Sequence, residues 1–346
     1  MILDNLIRKN VKNMSAYSSA RDEFNADKQN YLFLDANENP FDSDYNRYPD
    51  PHQNALKEAI SRIKQIPKQN IVLGNGSDEV LDLIFRAFCE PKEDEIITMP
   101  PTYGMYDVLA NLNDIKTVQV PLKEGFQIDV QGVLSAITDK TKLIFICSPN
   151  NPSGNLLQIN DVKNILGHFS GLVVIDEAYI DFATSSSFIS ELNDFPNLII
   201  TQTFSKALAH AGIRVGMCFA SERIIAVLNK IKPPYNINQL SQTKALEVIQ
   251  NFDTYIFQVQ IIKSERELVA NELKKVSWMQ HVFPSESNFL LCRVDNANLR
   301  YGQLLEKKIV VRNRTNQPLC ENCLRFTVGT PEQNQTLLNT IKDLNS

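Results

Sequence analysis

Long hydrophobic runs are missing from this sequence of 346 residues. A membrane-spanning helix needs roughly 18 or more consecutive apolar residues, and the apolar runs here are short, such as Leu143–Cys147 and Leu172–Ile175. Near the N-terminus, the charged residues Asp4, Arg8 and Lys9 interrupt the apolar stretch that a signal peptide needs. We therefore expect a cytoplasmic protein that does not associate with membranes.

An excess of positive charge is also absent. The chain has 35 Lys and Arg against 40 Asp and Glu, a net charge of −5. A mildly acidic protein has no overall attraction for nucleic acid or for an anionic membrane, although a local basic patch can still bind phosphate. We expect no nucleic-acid partner. With 43% hydrophobic and 22% charged residues the chain can form a compact core, and its length favours two domains at roughly 150 residues each.

Clusters of metal-ligating residues are scarce as well. Four of the six cysteines lie in apolar segments, where a free thiol is typically a small buried hydrophobe: Cys89, Cys147, Cys218 and Cys292. Cys320 and Cys323 form a C-x-x-C pair, but no second pair and no histidines at metal spacing accompany it. We interpret both as reduced cysteines and predict no metal site.

Short apolar runs that alternate with helix-period segments indicate an α/β fold. The predicted strands are Tyr31–Leu34, Ile71–Leu73, Glu95–Met99, Thr117–Val120, Lys142–Cys147, Gly171–Ile175, Leu198–Thr201 and Val215–Phe219. The predicted helices between them lie near 51–65, 77–89, 104–112, 158–168 and 222–231. Several strands are apolar throughout, as is typical of a parallel sheet with helices on both faces.

Two adjacent prolines in the stretch 232–236 interrupt this alternation. The segments predicted after it are helices at 238–250 and 253–275, strands near Ser287–Arg293, Ile309–Val311 and Cys323–Val328, and a helix from about 331. We therefore predict an N-terminal arm at 1–30, a large domain at 31–236 whose mostly parallel sheet lies between helices, and a smaller α+β C-terminal domain at 237–346.

A glycine turn before a helix is the first candidate for an anion site. The segment 73–79 reads LGNGSDE. Glycines permit a tight turn, and the free N–H groups of the first helical turn can bind an anion. The third glycine of a dinucleotide fingerprint is replaced by Glu79, and the lysine of a P-loop is missing. Taken alone, this turn is a weak signal.

Three further motifs follow predicted strands. They are SPNNPSG at 148–154, DEAY at 176–179, and TFSK at 203–206 with Arg214 eight positions after Lys206. Polar residues at the carboxyl ends of parallel strands are where open α/β sheets bind ligands. Taken separately, the first two fit a turn and a helix cap. A lysine flanked by hydroxyls and followed by an arginine suits an imine-forming amine beside a phosphate site.

The order of these motifs resembles that of the pyridoxal-phosphate (PLP) enzymes of the aspartate aminotransferase fold, fold type I. Within them the sequence resembles the histidinol-phosphate aminotransferase family, because of NRYPDP at 46–51, PPTYGMY at 100–106 and LRFTVGT at 324–330. The resemblance covers almost the whole chain, from the LDANENP segment at 34–40 onward. Ser153 replaces a common threonine and Phe204 a common leucine, and neither change removes a needed functional group.

The resemblance implies that the cofactor is pyridoxal 5'-phosphate and that Lys206 bonds it, then moves the substrate proton. Asp176 would pair with the pyridine nitrogen, so that the ring can act as an electron sink. Asn151 and Tyr179 would bind the phenolic oxygen, and Tyr103 would stack on the ring. The implied phosphate ligands are Gly76, Ser77, Asp78, Thr203, Ser205 and Arg214.

The implied reaction is transamination between L-histidinol phosphate and 2-oxoglutarate in histidine biosynthesis, giving imidazole-acetol phosphate and glutamate. Arg325 resembles the arginine that binds the oxo-acid carboxylate, for which a bidentate guanidinium is suited. Arg312, at the end of the predicted strand Ile309–Val311, would bind the substrate phosphate. Tyr17 and Asn37 resemble N-terminal residues that close over the substrate.

The resemblance also implies a homodimer with shared active sites, in which Tyr48 of one subunit reaches the cofactor phosphate of the other. Threonine-phosphate decarboxylases and aromatic amino-acid aminotransferases use the same fold, and a phosphate-binding Arg312 favours a phosphorylated amine. An effector-sensing regulator needs an added DNA-binding domain, for which we expect no room in an arm of about 30 residues. The missing G-x-G-x-x-G disfavours a nicotinamide dehydrogenase.

Overall fold

The computed structural model describes residues 3–19 and 31–344. Its strands are β1 (Ile71–Asn75), β2 (Glu95–Thr98), β3 (Lys116–Gln119), β4 (Thr141–Cys147), β5 (Leu172–Asp176), β6 (Leu198–Thr203), β7 (Val215–Ala220), β8 (Met279–Val282), β9 (Phe289–Val294), β10 (Arg312–Asn313) and β11 (Cys323–Thr327). Its α-helices are α1 (Lys9–Asn13), α2 (Asn54–Lys64), α3 (Ser77–Phe88), α4 (Met105–Leu112), α5 (Val130–Ala136), α6 (Ile159–His168), α7 (Glu222–Ile231), α8 (Gln239–Gln250), α9 (Phe252–Leu273), α10 (Ala297–Glu306) and α11 (Pro331–Asp343).

Seven strands form the larger sheet, in the order β1-β7-β6-β5-β4-β2-β3. β7 runs antiparallel to both of its neighbours, and the other strand pairs are parallel. Ile144 and Ile146 of β4 pack in one hydrophobic cluster, while Leu143 and Phe145 pack in another. Because alternate side chains of a strand point to opposite faces, both faces of this sheet are covered. The predicted mostly parallel sheet between helices is confirmed.

Four strands form a second, antiparallel sheet in the order β10-β11-β9-β8. Leu324 and Phe326 of β11 lie in a hydrophobic cluster that also contains side chains of α9, α10 and α11. The predicted smaller α+β unit is therefore present. Ala245 and Val248 of α8, however, pack in a cluster of the larger sheet. A boundary at 236/237 between the two units stays a prediction.

The predicted strands differ from the observed ones in a few places. Those between 71 and 219 are present with ends shifted by at most two residues. Tyr31–Leu34 is not a strand, and its side chains Tyr31, Leu32 and Leu34 are exposed rather than buried in a sheet. Ile309–Val311 also lies outside the sheet, because pairing with β11 begins only at Arg312. β8 was not predicted, and the polar Gln280 and His281 in its centre hide its strand pattern.

Within the described ranges, no helix combines the length and the apolar character that crossing a membrane would require.

Candidate functional site

A cavity of about 200 Å³ lies where the carboxyl ends of β4, β5 and β6 meet the N-terminus of α3. These three strands are parallel neighbours, so their final residues come together at one edge of the sheet. The residues that line it are Ser77, Asp78, Tyr103, Cys147, Asn151, Asp176, Ala178, Tyr179, Thr203, Ser205, Lys206, Ala211 and Arg214. Motifs separated by more than a hundred residues thus share one site.

The carboxylate of Asp176 lies at the base of this cavity and is buried. The Tyr106 hydroxyl donates a hydrogen bond to its Oδ2 over 2.9 Å, and the Ala178 N–H donates to Oδ1 over 3.1 Å. Burial raises the pKa of Asp176, and the hydrogen bond from Tyr106 opposes that rise. The result is an oriented carboxylate that can accept a hydrogen bond from a protonated ring nitrogen.

Two glycines shape the anion site at the start of α3. Gly76 has a φ of +84°, and a Cβ there would lie 2.3 Å from Nη2 of Arg214. A Cβ on Gly216 of β7 would lie 2.2 Å from the backbone nitrogen of Ser77. Only glycine permits these two close approaches. They bring the Arg214 guanidinium next to the free N–H groups at the helix N-terminus, an arrangement that binds anions.

Hydroxyl groups complete this anion site. The Thr203 hydroxyl donates to the Ser205 hydroxyl over 3.0 Å, and Nη1 of Arg214 donates to the same oxygen over 3.4 Å. Nη2 of Arg214 lies 3.7 Å from the Asp78 carboxylate. A guanidinium, two hydroxyls and a helix N-terminus are the donors that a phosphate dianion requires. This donor set, beside the buried carboxylate of Asp176, fits the phosphate and the ring of PLP.

Lys206 follows the end of β6 and carries the amine of the site. Its Nζ lies 5.4 Å from the centre of the Tyr179 ring. Burial lowers the pKa of Lys206, Arg325 lowers it further, and Asp176 acts in the opposite direction. A lowered pKa increases the fraction of neutral amine, which is the nucleophilic form.

Asn151 and Tyr103 form two sides of the cavity. Oδ1 of Asn151 accepts a hydrogen bond from Nη1 of Arg325, whose guanidinium lies 4.9 Å above the ring of Phe289. Arg325 therefore reaches the cavity from β11 of the smaller sheet. The Tyr103 hydroxyl donates to Asp78 over 3.1 Å, which anchors its ring beside the helix N-terminus.

Six predicted site residues are not among those that line the cavity. Gly76 lies against Arg214 and Arg325 contacts Asn151, so both adjoin it. The other four are Arg312, Asn37, Tyr17 and Tyr48. Arg312 is exposed and lies directly opposite Arg325 in the pairing of β10 with β11. Asn37 and Tyr17 are exposed, and Tyr48 stacks on Tyr235 with 4.5 Å between ring centres. The roles of these residues stay predictions, as do those of the residues that line the cavity.

Tyr106 and Cys147 are site residues to which the sequence reasoning assigned no role. Tyr106 lies on the first turn of α4, three residues after Tyr103 in the PPTYGMY motif. Its place in that motif was the feature of the sequence that could have identified it as a site residue. Cys147 ends β4, and its thiol lies 3.5 Å from the carbonyl oxygen of Pro149. In the part of the chain that the structure describes, no group of three or more His, Cys, Asp or Glu residues could hold a metal ion.

Comparison with known proteins agrees with this geometry. The family model for aminotransferase class I and II matches residues 30–341. The chain is 55% identical to a histidinol-phosphate aminotransferase of Christiangramia forsetii, covering 99% of this chain and 98% of that one. It is 53% identical to one of Flavobacterium johnsoniae, covering 99% of both.

Solved structures show the same fold. The histidinol-phosphate aminotransferase of Clostridium acetobutylicum has a TM-score of 0.79 and 29% identity, covering 86% of this chain and 90% of that one. The enzyme of Sinorhizobium meliloti, in complex with pyridoxal-5'-phosphate, has a TM-score of 0.79 and 24% identity, covering 87% and 84%. The chain therefore belongs to the aminotransferase class I and II family, among the histidinol-phosphate aminotransferases.

Proposed function

We propose that this chain catalyses PLP-dependent transamination between L-histidinol phosphate and 2-oxoglutarate in histidine biosynthesis, giving imidazole-acetol phosphate and glutamate. The observation that carries the proposal is the single cavity that unites Lys206, the buried carboxylate of Asp176 and a phosphate site at the start of α3. The identity to named relatives over nearly the full length of the chain supports the choice of substrate.

PLP, when bound, supplies an electron-withdrawing ring that stabilises negative charge at the substrate Cα. Arg214 and Ser205 would bind its phosphate, together with Ser77, Thr203 and the N–H groups that follow Gly76. The carboxylate of Asp176 would accept a hydrogen bond from the ring nitrogen and keep that nitrogen protonated.

Lys206 is the catalytic base in this proposal. Its Nζ would hold the cofactor, and its neutral amine would remove the proton from the substrate Cα. The lowered pKa of Lys206 suits this step, because only a neutral amine can accept a proton. Asn151 and Tyr179 would bind and orient the phenolic oxygen, and Tyr103 would cover the ring.

Arginines of the smaller sheet bind the substrates. Arg325, which already contacts Asn151 at the cavity, binds the carboxylate of the oxo acid. Arg312 binds the phosphate of the amine, and Tyr17 with Asn37 closes over the bound substrate.

The test begins with the absorbance spectrum of the purified protein. We expect a band from bound PLP that borohydride removes as Lys206 becomes modified. Glutamate formation is then measured with histidinol phosphate, histidinol, phosphothreonine or phenylalanine as amine and 2-oxoglutarate as acceptor. Histidinol phosphate should give the highest kcat/KM. A higher kcat/KM with phenylalanine, or decarboxylation of phosphothreonine in place of transamination, would contradict the proposal.

A homodimer with shared active sites is part of the proposal. Leu32, Leu34 and Phe41 are 82%, 77% and 80% exposed, and apolar exposure of this size in the segment that leads to Tyr48 is typical of an interface. In a two-fold dimer, Tyr48 of one subunit would complete the site that contains Lys206 of the other. We also propose that the enzyme acts in the cytoplasm.

Mixing two inactive variants tests the shared site. A heterodimer of a Lys206→Ala chain and a Tyr48→Ala chain would contain one doubly altered site and one intact site. Activity should rise above that of either parent, up to about half of the wild-type value per heterodimer if the sites are independent. With subunit exchange verified, activity no higher than the parental average would remove Tyr48 from the neighbouring site.

A further inference from the structure

Strands β10 and β11 bring three arginines to one face of the smaller sheet. Arg312 lies opposite Arg325 in the strand register. Arg314 is two residues farther along, and its N–H donates to the Cys323 carbonyl over 2.9 Å, which extends the pairing by one step. Residues two apart in an extended segment point to the same face, and diagonal neighbours across strands lie about 7–8 Å apart. Arg314 is therefore a diagonal neighbour of Arg325.

No carboxylate compensates these charges within the described ranges, where none of the three arginines forms a salt bridge. Nε of Arg314 and Nε of Arg325 are both buried and have no hydrogen-bond partner there. Asn151, to which Arg325 donates a hydrogen bond, is neutral. Burial and the neighbouring guanidinium groups lower the pKa of Arg325 to about 10, and burial with Arg312 lowers the pKa of Arg314.

Such an arrangement is unfavourable unless an anion binds to it. Like charges opposite each other destabilise a strand pair, and a buried charge without a partner is costly. The arginines also act on the cavity: the positive charges of Arg325 and Arg314 oppose the rise in the pKa of Tyr179 that burial causes. Tyr179 lines the cavity, so this face of the sheet borders the place where substrate binds.

We propose that Arg314 is a third substrate-binding arginine, which acts with Arg312 on the phosphate dianion of the amine substrate. This inference rests on the proposed function, and it names a residue beyond Arg312 and Arg325. A phosphate monoester carries close to two negative charges at neutral pH. One guanidinium balances half of that charge and two balance it fully. Arg325, which contacts Asn151, remains available for the carboxylate of the oxo acid.

The test compares Arg314→Gln with the wild-type holoenzyme on two amines, histidinol phosphate and histidinol. The ratio of their kcat/KM values should fall roughly tenfold to a hundredfold in the variant, the size expected for a charge-assisted hydrogen bond. The kcat/KM for histidinol itself should change little. The inhibition constant of inorganic phosphate against histidinol should rise by a similar factor, a binding readout that does not depend on the phosphorylated substrate.

Arg293→Gln is the matched control. Arg293 lies on β9 of the same sheet, and its guanidinium donates to the carbonyl oxygens of Leu319 and Glu321, in the loop that follows Arg314. If Arg314 only supported that loop, both variants would lower the ratio. We expect Arg293→Gln to leave the ratio and the phosphate inhibition constant unchanged. Should Arg314→Gln fail to fold, Arg314→Lys replaces it, and an intermediate loss of the ratio is expected because lysine lacks the planar fork.

Two outcomes separate this inference from the proposed function. A wild-type enzyme that does not prefer histidinol phosphate to histidinol overturns the proposed function, and this inference falls with it. A wild-type preference that Arg314→Gln retains, or an equal loss with both amines, overturns the role of Arg314 and leaves the proposed function standing.

Discussion

On the side of the larger sheet, two charged groups at the cavity, Asp176 and Arg214, have partners within the chain. Asp176 accepts hydrogen bonds from Tyr106 and from the Ala178 N–H, and Arg214 lies 3.7 Å from Asp78. On the side of the smaller sheet, Arg314 and Arg325 each have a buried Nε without a hydrogen-bond partner in the described ranges. The two sides therefore differ in how much of their charge the protein itself compensates.

This difference matches the two kinds of ligand in the proposed reaction. The cofactor stays through every turnover, and groups that are oriented beforehand by protein partners suit a resident ligand. The amine and the oxo acid exchange in each cycle. Cations without protein partners gain most when an anion arrives, so the smaller sheet suits ligands that come and go. Substitutions on the two sides should therefore impair the enzyme in different ways.

The largest expected effect is that of Lys206→Ala, on the side of the larger sheet. Turnover should be abolished, because no other group at the site replaces the amine. PLP should still bind without a covalent link, since the phosphate site and Asp176 are separate from Lys206. Glutamate formation and the PLP absorbance that remains after gel filtration measure the two effects. Substantial steady-state transamination by a pure variant would remove Lys206 from the mechanism.

Arginine substitutions on the smaller sheet should separate the two substrates. Arg312→Ala should reduce kcat/KM for histidinol phosphate far more than for histidinol, by roughly tenfold to over a hundredfold, or about 1.5–3 kcal/mol. Arg325→Ala should instead impair the half-reaction with 2-oxoglutarate most. Single-turnover measurements of each half-reaction provide the comparison. Equal losses with phosphorylated and plain amines would exclude Arg312 from the phosphate role.

A smaller effect is expected from Tyr106→Phe, which removes one protein partner of Asp176. The hydrogen bond from Tyr106 keeps the pKa of Asp176 lower than burial alone would. Its loss should raise the pKa of that carboxyl, so the ionised form is lost at a higher pH as the solution is acidified. The acidic limb of kcat/KM against pH should therefore move to higher pH. An unchanged limb would show that Asp176 does not depend on Tyr106.

Lys57→Met should leave turnover unchanged and affect stability alone. Lys57 is a buried cation outside the cavity, and burial together with Lys232 lowers its pKa from 10.5 to about 8. Below pH 8 the folded protein therefore bears the full cost of burying this charge, which disappears as the pH rises toward 10.5.

Removing the charge should raise the free energy of unfolding at pH 7 by up to about 3 kcal/mol, at about 1.4 kcal/mol per pKa unit. The gain in the free energy of unfolding should be smaller at pH 9.5, where urea unfolding of the variant and the wild type is compared again. A variant that is less stable than the wild type at pH 7 would show that the Lys57 ammonium is well compensated.

The sequence by itself determined most of the larger sheet and the side chains at its carboxyl edge. Runs such as LIFIC and LVVID are apolar on both faces, which only a covered sheet can accommodate. Asp176 and Thr203 end their strands, and Lys206 follows closely, so their placement depends on local chain direction. Parallel pairing of neighbouring strands is then enough to bring them together.

Only the tertiary structure decided the contacts between distant segments. Tyr106 meets Asp176 across 70 residues of sequence because α4 packs in the same hydrophobic cluster as β4. Arg325 of β11 meets Asn151 across 174 residues. The arginine face depends likewise on the pairing of β10 with β11, which begins at Arg312 and leaves the apolar Ile309–Val311 unpaired. Local periodicity predicts which face of a helix or strand is apolar. It does not predict which other element that face, or the charged residues beside it, will contact.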